Sequence, residues 1–293
     1  MPEKQPKKEQ HYVPQTYLRG FSQDSASVYE YNFRLERAIE KPVSIRSICR
    51  EQYLYEVRNQ NSDIININYI EDTLCGYEDL FSDYRRKLLN KAIVKANYGR
   101  HCFLTKGEKD FWRFFTALQM MRSPFMLYGI KDIMLEELPG QITPVEAYNI
   151  AVAFCLPFFK KPEPGEFNAL LHFISVLKTK ILTVGYVESD HLFTSEHSMY
   201  GVRNPEKILD FKKLWFPISS NCVLLFTDPN EMDRKKKNCL IPFSAEDVRE
   251  INKGITYVAG QMIISKYPFS EADIQLIEEA RKERAEDEKR KSL

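Results

Sequence analysis

The side chains best suited to chemistry lie in three distant segments of the 293-residue chain. His11 can exchange a proton near neutral pH, and Arg19, further along the same segment, can clamp a phosphate with its planar guanidinium. Arg122 stands shortly before Pro124, and Glu196 follows a predicted strand, where a carboxylate can bind Mg²⁺ or orient a water. If these groups meet in one cleft, they would suit hydrolysis of a phosphodiester.

Each of these residues also has a structural interpretation. His11 and Arg19 could instead fasten an irregular N-terminal segment to the body of the protein through hydrogen bonds to backbone carbonyls. Arg122 lies at a helix end broken by proline, so its guanidinium could either satisfy orphan carbonyls or point into a cavity and bind an anion. The sequence leaves both interpretations open.

The segment Thr194–His197 ends a predicted strand, where side chains and backbone amides commonly converge on ligands. Ser195 is therefore a candidate substrate-binding residue. It is not expected to be a nucleophile, because no G-x-S-x-G elbow surrounds it. In addition, Glu196 and His197 are adjacent in sequence and would point to opposite faces of a strand rather than toward one atom. Glu196 either performs acid–base or metal-binding work or caps a turn.

Other chemical motifs give little support to a cofactor or zinc site. No P-loop, GxGxxG, HExxH or paired zinc motif occurs, and the six cysteines lack CxxC spacing and resemble small buried hydrophobes. His101, His172 and His191 have no partner at metal-ligand spacing. The basic run at 234–237 predicts a solvated hairpin tip, although four adjacent cations could also contact a phosphate backbone.

Composition excludes a global attraction to polyanions. Forty-two Lys and Arg against 41 Asp and Glu give a net charge of +1, so any nucleic-acid site must be a local basic one. The first ten residues are polar without an apolar stretch behind them, and no apolar run approaches the ~20 residues of a membrane span. We therefore expect a cytoplasmic protein that does not enter a membrane.

Hydrophobic periodicity predicts the elements that must position these residues. Spacings of three and four predict helices over 70–88, 106–121, 144–154 and 166–178, and two more after Ser244 and Ser270. Alternation predicts short strands over 28–33 and 52–57 and four antiparallel strands over 181–187, 191–195, 214–218 and 222–227.

The fold class that follows is α+β, with a mainly helical body, a small antiparallel sheet in the C-terminal half and a short N-terminal β element. We expect a disordered tail over 1–10, a single domain over 11–277 and a charged helix end over 278–293 that frays.

The segment His11-Tyr12-Val13-Pro14-Gln15, followed by Tyr17-Leu18-Arg19 and Phe21, resembles the signature of a prokaryotic family catalogued as domain of unknown function 4238. Further similarities occur in the same order at Tyr53, Arg122-Ser123-Pro124, Leu192-Phe193-Thr194-Ser195, Phe216-Pro217-Ile218-Ser219 and Leu224-Leu225-Phe226-Thr227. Where that family continues with Asp-Asn-Pro, this chain has Glu196, His197 and Ser198. The resemblance adds Gln15 to the candidate substrate-binding residues and implies accessory or defence-type prokaryotic genes, without a general activity.

These observations favour a nuclease, metal-dependent or acid–base, with His11 and Glu196 as catalytic groups and Gln15, Arg19, Arg122 and Ser195 on the substrate. Glu196 would also be the ligand of any Mg²⁺. The alternative is a non-catalytic module that senses an anion or small ligand, or binds another protein, through the same residues. The two hypotheses share the expectation that His11, Arg122 and Glu196 meet in one cleft.

Overall fold

A computed structural model describes residues 5–100, 103–158, 168–203, 210–231 and 237–291. Within these residues helix accounts for 46% and strand for about 21%, so the α+β class and the excess of helix are confirmed. The helices are α1 (Gln15–Leu18), α2 (Tyr69–Ala92), α3 (Lys106–Met121), α4 (Pro124–Glu137), α5 (Pro144–Cys155), α6 (Ala169–Thr179), α7 (Ala245–Val258) and α8 (Glu271–Lys291).

Side-chain caps explain where several of these helices begin. Thr105, Thr143 and Ser244 each accept a hydrogen bond from the third helical residue, whose carboxylate binds back to the cap. Ser123 caps α4 with Pro124 in its first turn, so the predicted break at the proline is a junction between two helices, α3 and α4.

The strands are β1 (Glu9–His11), β2 (Ser27–Asn32), β3 (Arg37–Ala38), β4 (Val43–Ser44), β5 (Arg50–Gln52), β6 (Val57–Arg58), β7 (Ile64–Ile65), β8 (Ile181–Tyr186), β9 (Thr194–Ser195), β10 (Tyr200–Arg203), β11 (Phe211–Ser219), β12 (Cys222–Thr227), β13 (Leu240–Pro242) and β14 (Met262–Ser265).

A central sheet has the strand order β10-β11-β12-β8-β13. One face carries Phe216 and Leu224 into the larger apolar core with α2, α3 and α6, and the other packs Trp215 and Val223 against α7. The sheet is not wholly antiparallel as predicted, because β13 runs parallel to β8.

A second sheet, ordered β3-β2-β14-β9 with β4 also paired to β2, joins the two ends of the chain. The predicted N-terminal β element therefore has C-terminal strands as partners. The predicted strand 191–195 belongs here through β9 rather than to the central sheet. The predicted strand 52–57 is interrupted, because Tyr53 adopts a left-handed conformation (φ 55°) and starts a turn closed by the Glu56 amide.

Secondary structure extends close to both ends of the described chain. Glu9 and Gln10 belong to β1, and Gln10 is buried. At the other end, α8 is helical to Lys291 and packs along α7. An ion pair between Arg249 of α7 and Glu279 of α8, at 2.7 Å, joins the two helices. His101 and residues 234–236 of the basic run lie outside the described residues. Within the described ranges, no helix has the length and apolar character needed to cross a membrane.

Candidate active site

The N-terminal motif is held to the body by backbone pairing. β1 pairs antiparallel with β5, which sets His11 opposite Arg50. The amides of Tyr12 and Val13 both donate to the carbonyl of Cys49, at 3.0 and 3.5 Å, and Cys49 itself adopts φ 53°. A non-glycine residue in this conformation is strained, and its surroundings must hold it there.

Tyr17 ties the same motif to both sheets. Its hydroxyl donates to the carbonyl of Pro217 at 2.6 Å and lies 2.8 Å from the hydroxyl of Thr194. Its ring stacks on Phe216 with a centroid distance of 5.6 Å, and Tyr17 is fully buried. The segment from His11 to Phe21 therefore packs on the body of the protein.

Arg122 is the most highly connected polar residue of the candidate site. It is 1% exposed at the C-terminal end of α3, and its Nη1 lies 2.8 Å from a carboxylate oxygen of Glu78. Nη2 donates to the carbonyl of His11 at 2.6 Å, and Nε donates to the hydroxyl of Tyr55 at 3.2 Å. The Tyr55 hydroxyl in turn donates to the Arg122 carbonyl at 3.0 Å.

These contacts keep Arg122 ionised in the interior. Burial acts against its charged form, but Tyr55 and Glu78 outweigh that effect and raise the pKa of Arg122. The guanidinium therefore joins α3, α2 and the N-terminal motif, which is a structural role. Three of its five N–H groups form these hydrogen bonds, and the other two have no partner among the described residues.

The imidazole of His11 lies next to this ion pair. Its ring makes a hydrogen bond with the backbone of Arg46, whereas its Nε2 is buried and has no partner within the described part of the chain. Burial lowers the pKa of His11, and the nearby carboxylate of Glu78 only partly offsets that effect. His11 is therefore neutral at pH 7 and able to accept a proton.

Glu71 is a second titratable group near the same ion pair, and it is half-buried. It lies seven residues, about two turns of α2, before Glu78, and therefore on nearly the same helix face. Its Oε2 is buried and, among the residues described, unpartnered. Burial raises the pKa of Glu71 to about 7, against the influence of Arg122, so the carboxyl group is partly protonated at neutral pH.

We call His11, Glu71, Glu78 and Arg122 the His11–Glu71 cluster. Arg122 and Glu78 both act electrostatically on His11 and on Glu71, which places the four groups within one local field. In the cluster, His11 is a neutral base and Glu71 is a partly protonated acid, and Arg122 supplies a fixed positive charge beside them. Burial shifts the pKa of His11 and the pKa of Glu71 in the direction that favours the neutral form. Such groups can exchange protons with a substrate at neutral pH.

Glu196 makes a different set of contacts from those of Arg122. Its carboxylate accepts hydrogen bonds from three backbone amides of the turn between α7 and β14, those of Gly260, Gln261 (2.8 Å) and Met262 (3.2 Å). Arg122 pairs with Glu78 instead. The contacts of Glu196 are those of a residue that fastens a turn, and the catalytic and metal-binding roles of Glu196 stay predictions.

The three predicted substrate-binding residues outside Arg122 do not converge on it. Ser195 is fully buried, and its hydroxyl accepts from the amide of His197 at 3.2 Å. Arg19 is exposed on the surface, where its charged neighbour is Arg85. Gln15 is half-buried in the first turn of α1. Their roles stay predictions.

Sequence reasoning missed Glu71, Glu78 and Tyr55. The two glutamates directly follow Ile70 and Tyr77, which belong to the apolar stripe of α2, and this adjacency is the one signal that could have singled them out. The alternating pattern over 52–57 predicts Tyr55 to be a strand residue. Its role depends on the turn after Tyr53, which periodicity does not reveal.

Across the described ranges, no three His, Cys, Asp or Glu side chains gather as a group that could hold a metal ion.

Fold and site together define an α+β protein in which the N-terminal motif, α2 and the end of α3 each contribute to one polar cluster. The sequence profile of one family, described as "Protein of unknown function (DUF4238)", matches residues 9–268, and the chain belongs to that family. No curated protein matches the chain significantly. No solved structure does so either.

Proposed function

We propose that this protein hydrolyses phosphodiesters of nucleic acid by acid–base exchange at the His11–Glu71 cluster. The observation that carries the proposal is a pair of buried polar atoms, His11 Nε2 and Glu71 Oε2, that lack partners among the described residues. Buried polar atoms in folded proteins nearly always have a partner, so two such atoms beside one ion pair favour a place for substrate or water.

The chemistry assigns one role to each group. Neutral His11 takes a proton from the attacking water as its oxygen bonds to phosphorus, and protonated Glu71 gives a proton to the departing ester oxygen as the phosphorus–oxygen bond breaks. Arg122 and the nearby Arg50 supply positive charge around His11, which suits an anionic substrate.

Access to the cluster involves the chain just before β1. Lys7 lies close enough to Glu71 to influence its charge, and its ammonium contacts Asp72 at 2.8 Å. Both partners of that pair are almost half exposed, so the contact contributes little stability. The same segment is also held by hydrogen bonds of the Lys7 amide and the Gln5 carbonyl to Asn68, and of the Lys8 carbonyl to the Tyr53 amide. Admission of substrate along this route therefore requires these bonds to open.

A metal-dependent route is the variant of this proposal that the sequence also suggested. One or two carboxylates together with substrate phosphate can hold Mg²⁺. In the cluster, however, Glu78 is already paired with Arg122, which favours the acid–base route.

The test is cleavage of fluorescein-labelled single-stranded RNA and DNA oligonucleotides by the wild type, His11→Asn and Glu71→Gln. Both substitutions should slow cleavage by at least about 100-fold, the usual contribution of a general acid or base, without loss of folding. Glu40→Gln, an exposed match for Glu71→Gln, should behave as the wild type.

Cleavage should also persist in EDTA. Loss of cleavage on chelation would contradict the acid–base route. Oligonucleotide binding without cleavage by the wild type would instead support the non-catalytic alternative.

A further inference from the structure

A cavity of about 410 Å³ opens between the central sheet and α7, and it shares no residue with the His11–Glu71 cluster. Its floor consists of two cross-strand pairs of β11 and β12, Lys213 with Thr227 and Trp215 with Leu225. The volume lies within the roughly 300–1,000 Å³ of small-ligand sites.

Aromatic and aliphatic side chains form one part of the lining. Trp215 is held in place by Tyr200, which stacks on it with a centroid distance of 5.3 Å. Phe243 packs over Gly185, where an added Cβ would come within 2.6 Å of its ring. The glycine thus allows the Phe243 ring to lie close to the sheet, where it lines the cavity.

The polar part of the floor contains an unsatisfied group. Thr227 is 1% exposed, and its hydroxyl has no hydrogen-bond partner in the described part of the protein. Its cross-strand partner Lys213 lies over the Trp215 ring at 5.8 Å and forms no ion pair with any described residue. A hydroxyl and an ammonium side by side suit a carboxylate.

The α7 side of the cavity carries the opposite charge. Asp247 is occupied by the helix cap, since it accepts from the amide and the hydroxyl of Ser244 at 2.7 Å each. Glu250, one turn further on, has no ion pair within the described ranges. One uncompensated cation and one uncompensated carboxylate thus line the same cavity on opposite elements.

We infer that this cavity binds an α-amino acid with an apolar or aromatic side chain. Lys213 and Thr227 take its carboxylate, Glu250 takes its ammonium group, and the side chain lies against Trp215 and Phe243. A ligand that carries both charges satisfies groups that a ligand with one charge would leave unpaired.

Isothermal titration calorimetry with L-phenylalanine tests the inference. Phenethylamine lacks the carboxylate and 3-phenylpropanoate lacks the ammonium group, so each should bind at least tenfold more weakly. Thr227→Val keeps the shape of the side chain but removes the hydroxyl, and it should weaken binding of L-phenylalanine at least tenfold. Glu250→Gln should also weaken binding at least tenfold. Its matched control Glu246→Gln, an exposed residue of α7 that does not line the cavity, should leave binding unchanged.

No heat of binding at about 10 mM L-phenylalanine, a concentration that would detect even millimolar affinity, would overturn the inference. Equal affinity for either single-charge analogue, or unchanged binding by Thr227→Val, would do so as well. Because the readout is binding and not cleavage, the result is independent of the proposed hydrolysis.

Discussion

At the scale of single residues, burial and partners distinguish roles that the sequence leaves open. Arg122 and Glu196 are both charged residues that are about 95% buried or more. The charged group of each forms hydrogen bonds with other groups of the protein. His11 and Glu71 are half-buried, and each keeps one buried atom without a partner among the described residues. That contrast is the reason for placing chemistry at the second pair.

Arg122→Met should lower the free energy of unfolding by about 3–5 kcal/mol, because Glu78 and the His11 carbonyl would lose a buried charged partner. Urea denaturation measures the change. Arg86→Met, which alters a largely exposed arginine of α2, should stay within about 0.5 kcal/mol of the wild type. Similar stability of the two variants would contradict the structural role of Arg122.

Glu196→Gln should destabilise the protein by about 1–3 kcal/mol, because an amide group can no longer accept from all three backbone N–H groups of the α7–β14 turn. Cleavage by the folded variant should remain near the wild-type rate. Thermal unfolding and the oligonucleotide assay, each compared with Glu40→Gln, separate the two effects. A stable but inactive Glu196→Gln protein would restore the catalytic role that the sequence suggested.

At the scale of elements, polar contacts hold the last helix to the segment before β9 and to the end of α7. His191 Nε2 lies 2.9 Å from a carboxylate oxygen of Asp273, which also accepts from the amide and hydroxyl of Ser270 at the start of α8. Arg284 in α8 donates to the carbonyl of Ala259 after α7 at 2.7 Å. These bonds explain why the charged C-terminal segment is a packed helix.

The His191–Asp273 contact gives a pH dependence of known sign. The hydrogen bond to Asp273 raises the pKa of His191 above its value near 6.5 in an unfolded chain. Its contribution to stability is therefore fully present below pH ~6.5 and is lost as the pH rises through the folded-state pKa.

Urea denaturation of the wild type and His191→Gln between about pH 5.5 and 8.5 measures this dependence. The difference in stability between the two proteins should shrink as the pH rises. A difference that stays constant or grows would contradict the assignment.

At the scale of the whole molecule, local patterns predicted the helices better than the pairing of strands. Caps at Thr143 and Ser244 and the periodicity of α2 depend on neighbouring residues, and these helices form near the predicted positions. The pairing of β14 with β2 and β9 depends on contacts across most of the chain, which periodicity does not encode. The candidate site likewise depends on contacts between distant segments, which the sequence pattern does not reveal.

His11 and Arg122 could be singled out because they stand in recognisable local motifs. Glu71 looks from the sequence like one more solvated helix carboxylate, and it becomes notable only when folding buries it beside Arg122. Glu196 was singled out by its place after a strand, but tertiary structure supplied three amides for its carboxylate.

The pH dependence of oligonucleotide cleavage tests the central claim most directly. Cleavage requires deprotonated His11, whose pKa is lowered by burial, and protonated Glu71, whose pKa is about 7. The rate should therefore rise at acid pH, pass through a maximum and fall near pH 7, and Glu71→Gln should remove the falling limb together with most of the rate. A falling limb that survives in Glu71→Gln, or a rate indifferent to His11→Asn, would contradict the acid–base role of the His11–Glu71 cluster.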